Sequence, residues 1–255
     1  LDVVPVGVGW DFEPFGATRK GDLLIGRGSQ DNKGPAIGML YVMECIRDLK
    51  LPVGHQLCLF VGSDEERGME DLEYYTENYP TPAISMIADC GFPVCYGEKG
   101  IIEGKTVSLG TMSESVLEFY GGSAGNIIPD KAVLAVKKDS ITEKQLEQLK
   151  GLEQPSPEES LITVEEKEDR IVVTAKGSGG HSAFPEGSTN AIQVLCKAVL
   201  SAAFLTAQDR KLVEAVCEGT SGNYGEAFGI QYEDIESGRL TCVGTVLRLK
   251  ENHAE

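Results

Sequence analysis

Basic residues are scarce in this chain: 23 lysines and arginines stand against 40 aspartates and glutamates, a formal net charge of −17 over 255 residues. That balance argues against nucleic acid and anionic membrane as partners, because both are held by basic patches. Long apolar runs are missing too. No stretch approaches the roughly 20 residues of a membrane span, and no leader of the basic-then-apolar kind opens the chain. The seven cysteines, Cys45, Cys58, Cys90, Cys95, Cys196, Cys217 and Cys242, include no C-x-x-C pair. An odd, scattered set reads as reduced thiols, makes the cytoplasm the expected compartment and argues against a cysteine-built zinc site. Internal repeats and low-complexity tracts are absent. "GVGW" and "GSGG" are not phosphate loops, since no GK[ST] follows either.

What is there is a chain of ordinary globular composition, long enough for two domains. Residues 1–104 alternate strand-like and helix-like segments, which predicts a layered α/β domain. "GDLLIGRG" reads as a short strand ending in glycines. "GPAIGMLYVMECIRDLK" (34–50) reads as a helix with Pro35 in its first turn and apolar residues on most sides, hence a buried one. "HQLCLFVG" (55–62) and "AISMIAD" (83–89) read as buried strands of the parallel-sheet kind, with a surface helix within 68–80 between them. From about Lys105 the pattern shifts to half-wet strands and helices, which predicts an α+β domain over 105–255. Its expected strands are "KTVSLG", "VLEFYGG", "AVLAVKK", "RIVVTAKG" and one or two in "GRLTCVGTVLRLK". Its expected helices are "ITEKQLEQLKGL", capped by Thr142 and Gln145, and "TNAIQVLCKAVLSAAFLTAQ", with Ile192, Leu195 and Val199 on one stripe. "EQPSPEES" reads as a loop.

Acids recur at one kind of position. Glu65 and Glu66 follow the strand that ends near Gly62, and Asp89 follows the strand over 83–88. Asp31 follows "LLIGRGSQ" and precedes a helix, and Asp2 opens the apolar "LDVV". Each alone is an ordinary solvated strand end. Together they sit where open α/β sheets bind ligands, and converging carboxylates need a compensating charge that a divalent cation supplies. Aspartate and glutamate donors suit zinc, or manganese and cobalt. Of the three histidines, His55 reads as solvated or structural and His253, in the polar "ENHAE", as solvated. His181, between "GSGG" and "SAFP", reads equally as a loop residue or a functional one. Arg27 and Lys33 read as partners of the acids around them, and Asp64 has no assigned role.

The segments "LDVVPVGVGW", "PFGATRKGDLLIGRGSQDNKG", "VGSDEERGMED", "IADCGFPVCYGEKG" and "GSGGHSAFPEGSTNAI" resemble, in order, those of the dinuclear-zinc peptidases and amidohydrolases. That family includes carboxypeptidase G, aminoacylase-1, succinyl-diaminopimelate desuccinylase and the Xaa-His dipeptidases. "GGSAGNIIPDKA" makes the chain most similar to the long-lid bacterial dipeptidases. The resemblance implies a partial α/β zinc-peptidase catalytic domain (1–104) and an α+β lid domain (105–255), with sequence missing at both ends. It implies two zinc ions, with Asp31 bridging them, Glu66 on one and Asp89 on the other. Glu65 is the implied general base, and Asp2 the residue that orients a histidine ligand lying just before Leu1. Asn126 and His181 are the implied substrate contacts, His181 donating to the oxyanion. The implied activity is hydrolysis of dipeptides or short peptides by a monomer, with a homodimer as the alternative assembly. Deacylation of N-acyl amino acids or carboxypeptidase action are the alternatives of the same chemistry, and a metal-binding or interaction module without turnover is the alternative of another class. With neither histidine ligand in the chain, weak metal binding and no turnover are expected of it.

Overall fold

In the computed structural model, which describes residues 1–7, 10–91, 93–153 and 161–255, the chain divides into two units, Leu1–Tyr96 and Gly97–Glu255. In the first, Thr18–Lys20 (β1) and Leu23–Ile25 (β2) pair as an antiparallel hairpin. An irregular turn over Ser29–Lys33 then leads into α1, Gly34–Asp48, with Pro35 in its first turn as its fixed φ favours. The second helix, α2, spans Glu70–Asn78. Its first turn holds Glu70, Asp71 and Glu73, acids that suit the positive end of the helix dipole. Phe60, Tyr75 and Tyr79 form a small aromatic stack beside it.

Three expectations for this unit are corrected. Residues 55–62 and 83–89 form no strand, and α1 has no buried residue. Ile84, Met86 and Ile87 are 76%, 76% and 81% exposed. The reason is the nature of parallel strands. A strand apolar on both faces is stable only with ladder partners on its edges and a layer over each face. Among the described residues these segments have no ladder partner, so α1 has no sheet on which to bury Ile37, Leu40 or Val42.

The second unit has its own core. Val116–Gly121 (β3), Lys131–Lys137 (β5), Arg170–Lys176 (β7) and Ile162–Glu166 (β6) form an antiparallel sheet in the order β3-β5-β7-β6. Two-residue strands Ile127–Ile128 (β4) and Gly180–His181 (β8) pair beside it. Helix α3 covers Glu143–Lys150, and the expected capping box is formed: Gln145 N–H donates to Thr142 Oγ1, and Thr142 N–H donates to Gln145 Oε1 at 2.9 Å. Helix α4, Ala191–Ser201, packs on β3, β5 and β7. Its stripe Ile192, Leu195 and Val199 is fully buried with Leu134, Ile171 and Val173 of the sheet. Each such side chain contributes about 1.5–3 kcal/mol of hydrophobic stabilisation. The other face of the sheet carries Glu118, Tyr120, Lys131, Glu165 and Arg170, as a one-side-wet antiparallel sheet should.

Four details depart from expectation here. β6 was missed, although Ile162 and Val164 alternate with Thr163 and Glu165. The helix expected over 189–208 breaks at Ala202, whose backbone is extended, and α5 follows over Ala207–Gly219. The signal was Thr206-x-x-Asp209: Thr206 Oγ1 accepts from Asp209 N–H, and the buried Asp209 carboxylate accepts from Thr206 and Ser113 hydroxyls and from Ser113 N–H. "KTVSLG" is no strand. It lies along the closing hairpin of Leu249–Lys250 (β11) and His253–Ala254 (β12), with Ser108 N–H donating to Ala254 O. Between them, Glu233–Asp234 (β9) and Gly238–Arg239 (β10) pair as a short hairpin. His253 is therefore not a solvated tail residue: its Nδ1 lies 2.8 Å from Ser108 O, half-buried. The loop expected over "EQPSPEES" lies, from Gln154 on, outside the described residues.

Candidate active site

Asp2 reaches the turn that carries two of the other candidate acids. Asp2 Oδ1 accepts from Glu65 N–H at 3.3 Å and Asp2 Oδ2 from Glu66 N–H at 3.1 Å, so one carboxylate grips the backbone of both neighbours. The turn it grips is built by Asp64. The Asp64 carbonyl accepts from the N–H groups of Arg67, Gly68 and Met69, and its Oδ2 accepts from Glu70 N–H at the start of α2. Asp64 thus has a task that the sequence left blank: it caps α2 and closes the turn that presents Glu65 and Glu66. The sequence signal was an acid six residues before the first helical N–H it serves.

Asp31 is placed by the turn over Ser29–Lys33, where it leaves helical geometry at φ −114°, ψ 98°. The turn begins at Gly28, φ +80°, and a Cβ there would meet Val3 Cγ1 at 2.5 Å. Only glycine allows the N-terminal segment to pass that close. The ion pair expected of Arg27 is not formed among the described residues. The Arg27 guanidinium lies 5.2 Å from the Trp10 ring centre and donates to Val6 O, and its charge bears on Asp31 from a distance.

The acids perturb one another. Partial burial, then the charge and hydrogen bond of Asp89, push the Asp31 carboxyl up, with Arg27 opposing. Burial raises Glu65, and Glu66, Asp89, Asp2 and Asp31 add to it. Burial raises Glu66, followed by Asp31, Asp2 and Asp89. Asp2 is the exception. Desolvation pushes it up, but the N–H groups of Glu66, its own residue and Glu65 together hold it below the usual range. The five acids expected from separate segments are therefore electrostatic neighbours, with Arg27 the cation that offsets Asp31. Among the described residues, however, no three His, Cys, Asp or Glu side chains stand as a ready ligand set. The carboxylates are near enough to repel and not drawn to a common point. A donor set of mutually repelling hard oxygens fits a divalent cation, which would supply the charge that holds them together.

In the second unit the structure brings Asn126 and His181 together. Ile127 pairs with His181 across β4 and β8, and Asn126 O accepts from Ser182 N–H at 2.9 Å. Ala183 N–H donates to His181 Nδ1 at 3.1 Å. A backbone N–H can only donate, so a neutral ring accepting it at Nδ1 carries its proton on Nε2. Gly180 allows the tight approach of Ser188 that closes this loop, where a Cβ would strike the Ser188 hydroxyl.

Residues 1–235 match the description "Peptidase family M20/M25/M40". The chain is 28% identical over 257 residues to "Putative dipeptidase YtjP" of Bacillus subtilis, covering 98% of the chain and 55% of that protein. It is 28% identical over 262 residues to "Putative dipeptidase SH1171" of Staphylococcus haemolyticus, covering 96% of the chain and 54% of that protein. It thus spans about half the length of the curated relatives it matches. No helix among the described residues is long and apolar enough to cross a membrane. With its ordered motifs and a match over nearly its whole length, the chain belongs to the M20/M25/M40 peptidase family.

Proposed function

We propose that this chain is the acidic half-site and lid of a metal-dependent peptidase that acts on dipeptides or short peptides. Residues 1–104 belong to the catalytic domain and 105–255 to the lid. The observation that carries the reading is the gathering of carboxylates from separate segments: Asp2 accepts from the Glu65 and Glu66 N–H groups, and Asp31, Glu65 and Glu66 are raised first by partial burial and then by one another and Asp89. The family match and the dipeptidase names of the relatives support the substrate class.

Asp31, Glu66 and Asp89 would hold two zinc ions, with manganese or cobalt compatible with the same donors. Bound there, such cations polarise an amide carbonyl and bring the pKa of water toward neutrality. Glu65 accepts a proton from the attacking water at its carboxylate and delivers it to the leaving amine nitrogen. Its raised pKa moves it toward the working pH of a general base. Asp2 fixes the Glu65–Glu66 backbone so that neighbouring side chains divide the two tasks. It also orients a histidine ligand, as the resemblance implies. His181 donates Nε2–H to the developing oxyanion, a contact worth about 2.7–4 kcal/mol in other enzymes. Asn126 contacts the substrate beside it. The enzyme works as a monomer. The 255-residue chain holds fewer ligands than the resemblance implies, so by itself it binds cations weakly and turns over no peptide.

The test is a pair of substitutions in the full-length product of the gene. Glu65→Gln keeps the zinc content and lowers kcat by about 10²–10⁴-fold, because glutamine cannot take the proton. Glu66→Gln lowers metal content first. The reverse pattern, or undiminished turnover in Glu65→Gln, ends this assignment.

A further inference from the structure

The loop that carries His181 is held at its base and at its far side by different devices. At the base, Ser178 and Thr189 exchange backbone hydrogen bonds, and β8 pairs with β4. Within the loop, Phe184 N–H donates to His181 O and Ser188 N–H to Pro185 O. Its far side meets the segment after α5: Tyr224 Oη donates to Glu186 Oε1 at 2.8 Å. Just past the loop, Asn190 Nδ2 donates to Gly244 O at 2.8 Å, so the same segment supports it twice.

Tyr224 is itself fixed from several directions. The Arg239 guanidinium lies 3.5 Å over its ring centre. Tyr224 N–H donates to Glu226 Oε2 at 2.8 Å, and Glu226 Oε1 lies 3.9 Å from Arg239. Lys99 Nζ donates to Arg239 O at 2.6 Å, and Cys242 N–H to Asn223 O at 2.8 Å. A phenol has two rotatable side-chain bonds, and a stacked cation removes most of that freedom. The Glu186 carboxyl is held low chiefly by the Tyr224 hydroxyl, and the same bond raises Tyr224. Both directions leave the proton on the phenol and the charge on Glu186, a charge-assisted bond.

The geometry points to Tyr224 as a positioning residue for His181: through Glu186 it fixes the loop so that the imidazole presents Nε2–H in one orientation. This rests on the role given to His181 above. An oxyanion donor acts only if its N–H is already aimed, and a loop displaced by about 1 Å can cost up to about 10²-fold in rate.

The test reads His181 directly. The chain has three histidines, so the imidazole nitrogens of ¹⁵N-labelled protein can be assigned. In the unsubstituted chain His181 shows the Nε2–H tautomer alone. Y224F removes only the hydroxyl, and it converts the His181 signals to a tautomer average while His55 and His253 stay in place. E186Q weakens the same bond from its other end, shifts His181 in the same direction and serves if Y224F does not fold. In the full-length gene product, Y224F lowers kcat for dipeptide hydrolysis about 10-fold, with KM changed less than about twofold. Unmoved His181 signals in the folded variants, or a loss confined to KM, overturn the assignment. If the unsubstituted enzyme hydrolyses no peptide, the functional reading fails, and the His181 spectra still decide whether Tyr224 orients the ring.

Discussion

The two units of this chain obey different rules. Between Leu1 and Tyr96 the only buried residue described is Gly28, whereas every buried apolar side chain lies between Met112 and Ala254. Both are rich in apolar residues, so composition does not separate them. The difference is in how the strands are satisfied. In 97–255 each strand of the main sheet pairs with one brought close by the chain itself, as in the turn from β6 to β7 at Lys167–Asp169. In 1–96 the apolar segments 55–62 and 83–89 need a parallel partner and a covering layer, and neither is present among the described residues. Glu65 and Glu66, by contrast, are placed in the first unit without a core, because Asp2 and Asp64 hold their turn through backbone hydrogen bonds.

Core truncation should expose this contrast most strongly. Leu195 is fully buried among sheet and helix side chains, while Ile87 is 81% exposed. Leu195→Ala should cost about 2–5 kcal/mol of unfolding free energy. Ile87→Ala should cost about 0.5 kcal/mol or less. Urea titrations of both variants measure this. An equal loss would mean that the first unit has a packed core after all.

The same contrast explains what could be read from the sequence. The antiparallel strands over 116–121, 131–137 and 170–176 and the Thr142 cap were legible because alternation and capping are local. The break at Ala202 was not, because the apolar period runs smoothly into "AAFL" and only the Thr206–Asp209 pairing marks a new start. Strand 162–166 was hidden by the charges that follow it. In the site, Asp2, Asp31, Glu65, Glu66 and Asp89 could be picked out by position and resemblance. That Asp2 grips the Glu65 and Glu66 N–H groups, and that Asp64 builds their turn, depends on which donors happen to be left over. No periodicity encodes that.

Helix caps give a smaller and more local comparison. Thr142 caps α3, whose Leu149 is buried in the core, and Gln145 Nε2 also donates to Ala203 O. Thr142→Ala should therefore lower global stability by about 1 kcal/mol. Asp64 serves α2, which has no buried residue. Asp64→Ala should leave the main unfolding transition in place and instead speed amide exchange over 65–73. A shift of the global midpoint by Asp64→Ala as large as that by Thr142→Ala would show that α2 contributes to the main transition although it buries no residue.

The smallest expected effect sharpens the comparison by pH. Glu166 ends β6, and its two oxygens accept from Lys138 Nζ and Lys150 Nζ, each at 2.9 Å. Those two hydrogen bonds, Lys150 first, and then the lysine charges lower its pKa from 4.5 to about 2. A carboxyl whose folded value lies below its unfolded one stabilises the fold at pH above the unfolded value, and the gain is lost as pH falls through the folded one. For Glu166 that window runs from 4.5 down to about 2. Glu166→Gln should therefore be slightly less stable than the parent at neutral pH, and the two should converge across that window. The group is exposed, so salt should shrink the difference as well. Urea midpoints of parent and variant, taken at several pH values and at two salt concentrations, test this. In the first unit the sign is opposite: Glu65 and Glu66 are raised, first by burial and then by neighbouring carboxylates, so protonation in acid relieves the cost of their charge instead of breaking a bond. A gap between parent and Glu166→Gln that persists unchanged to the acid end of the window would show that the lysine pair does not hold the end of β6.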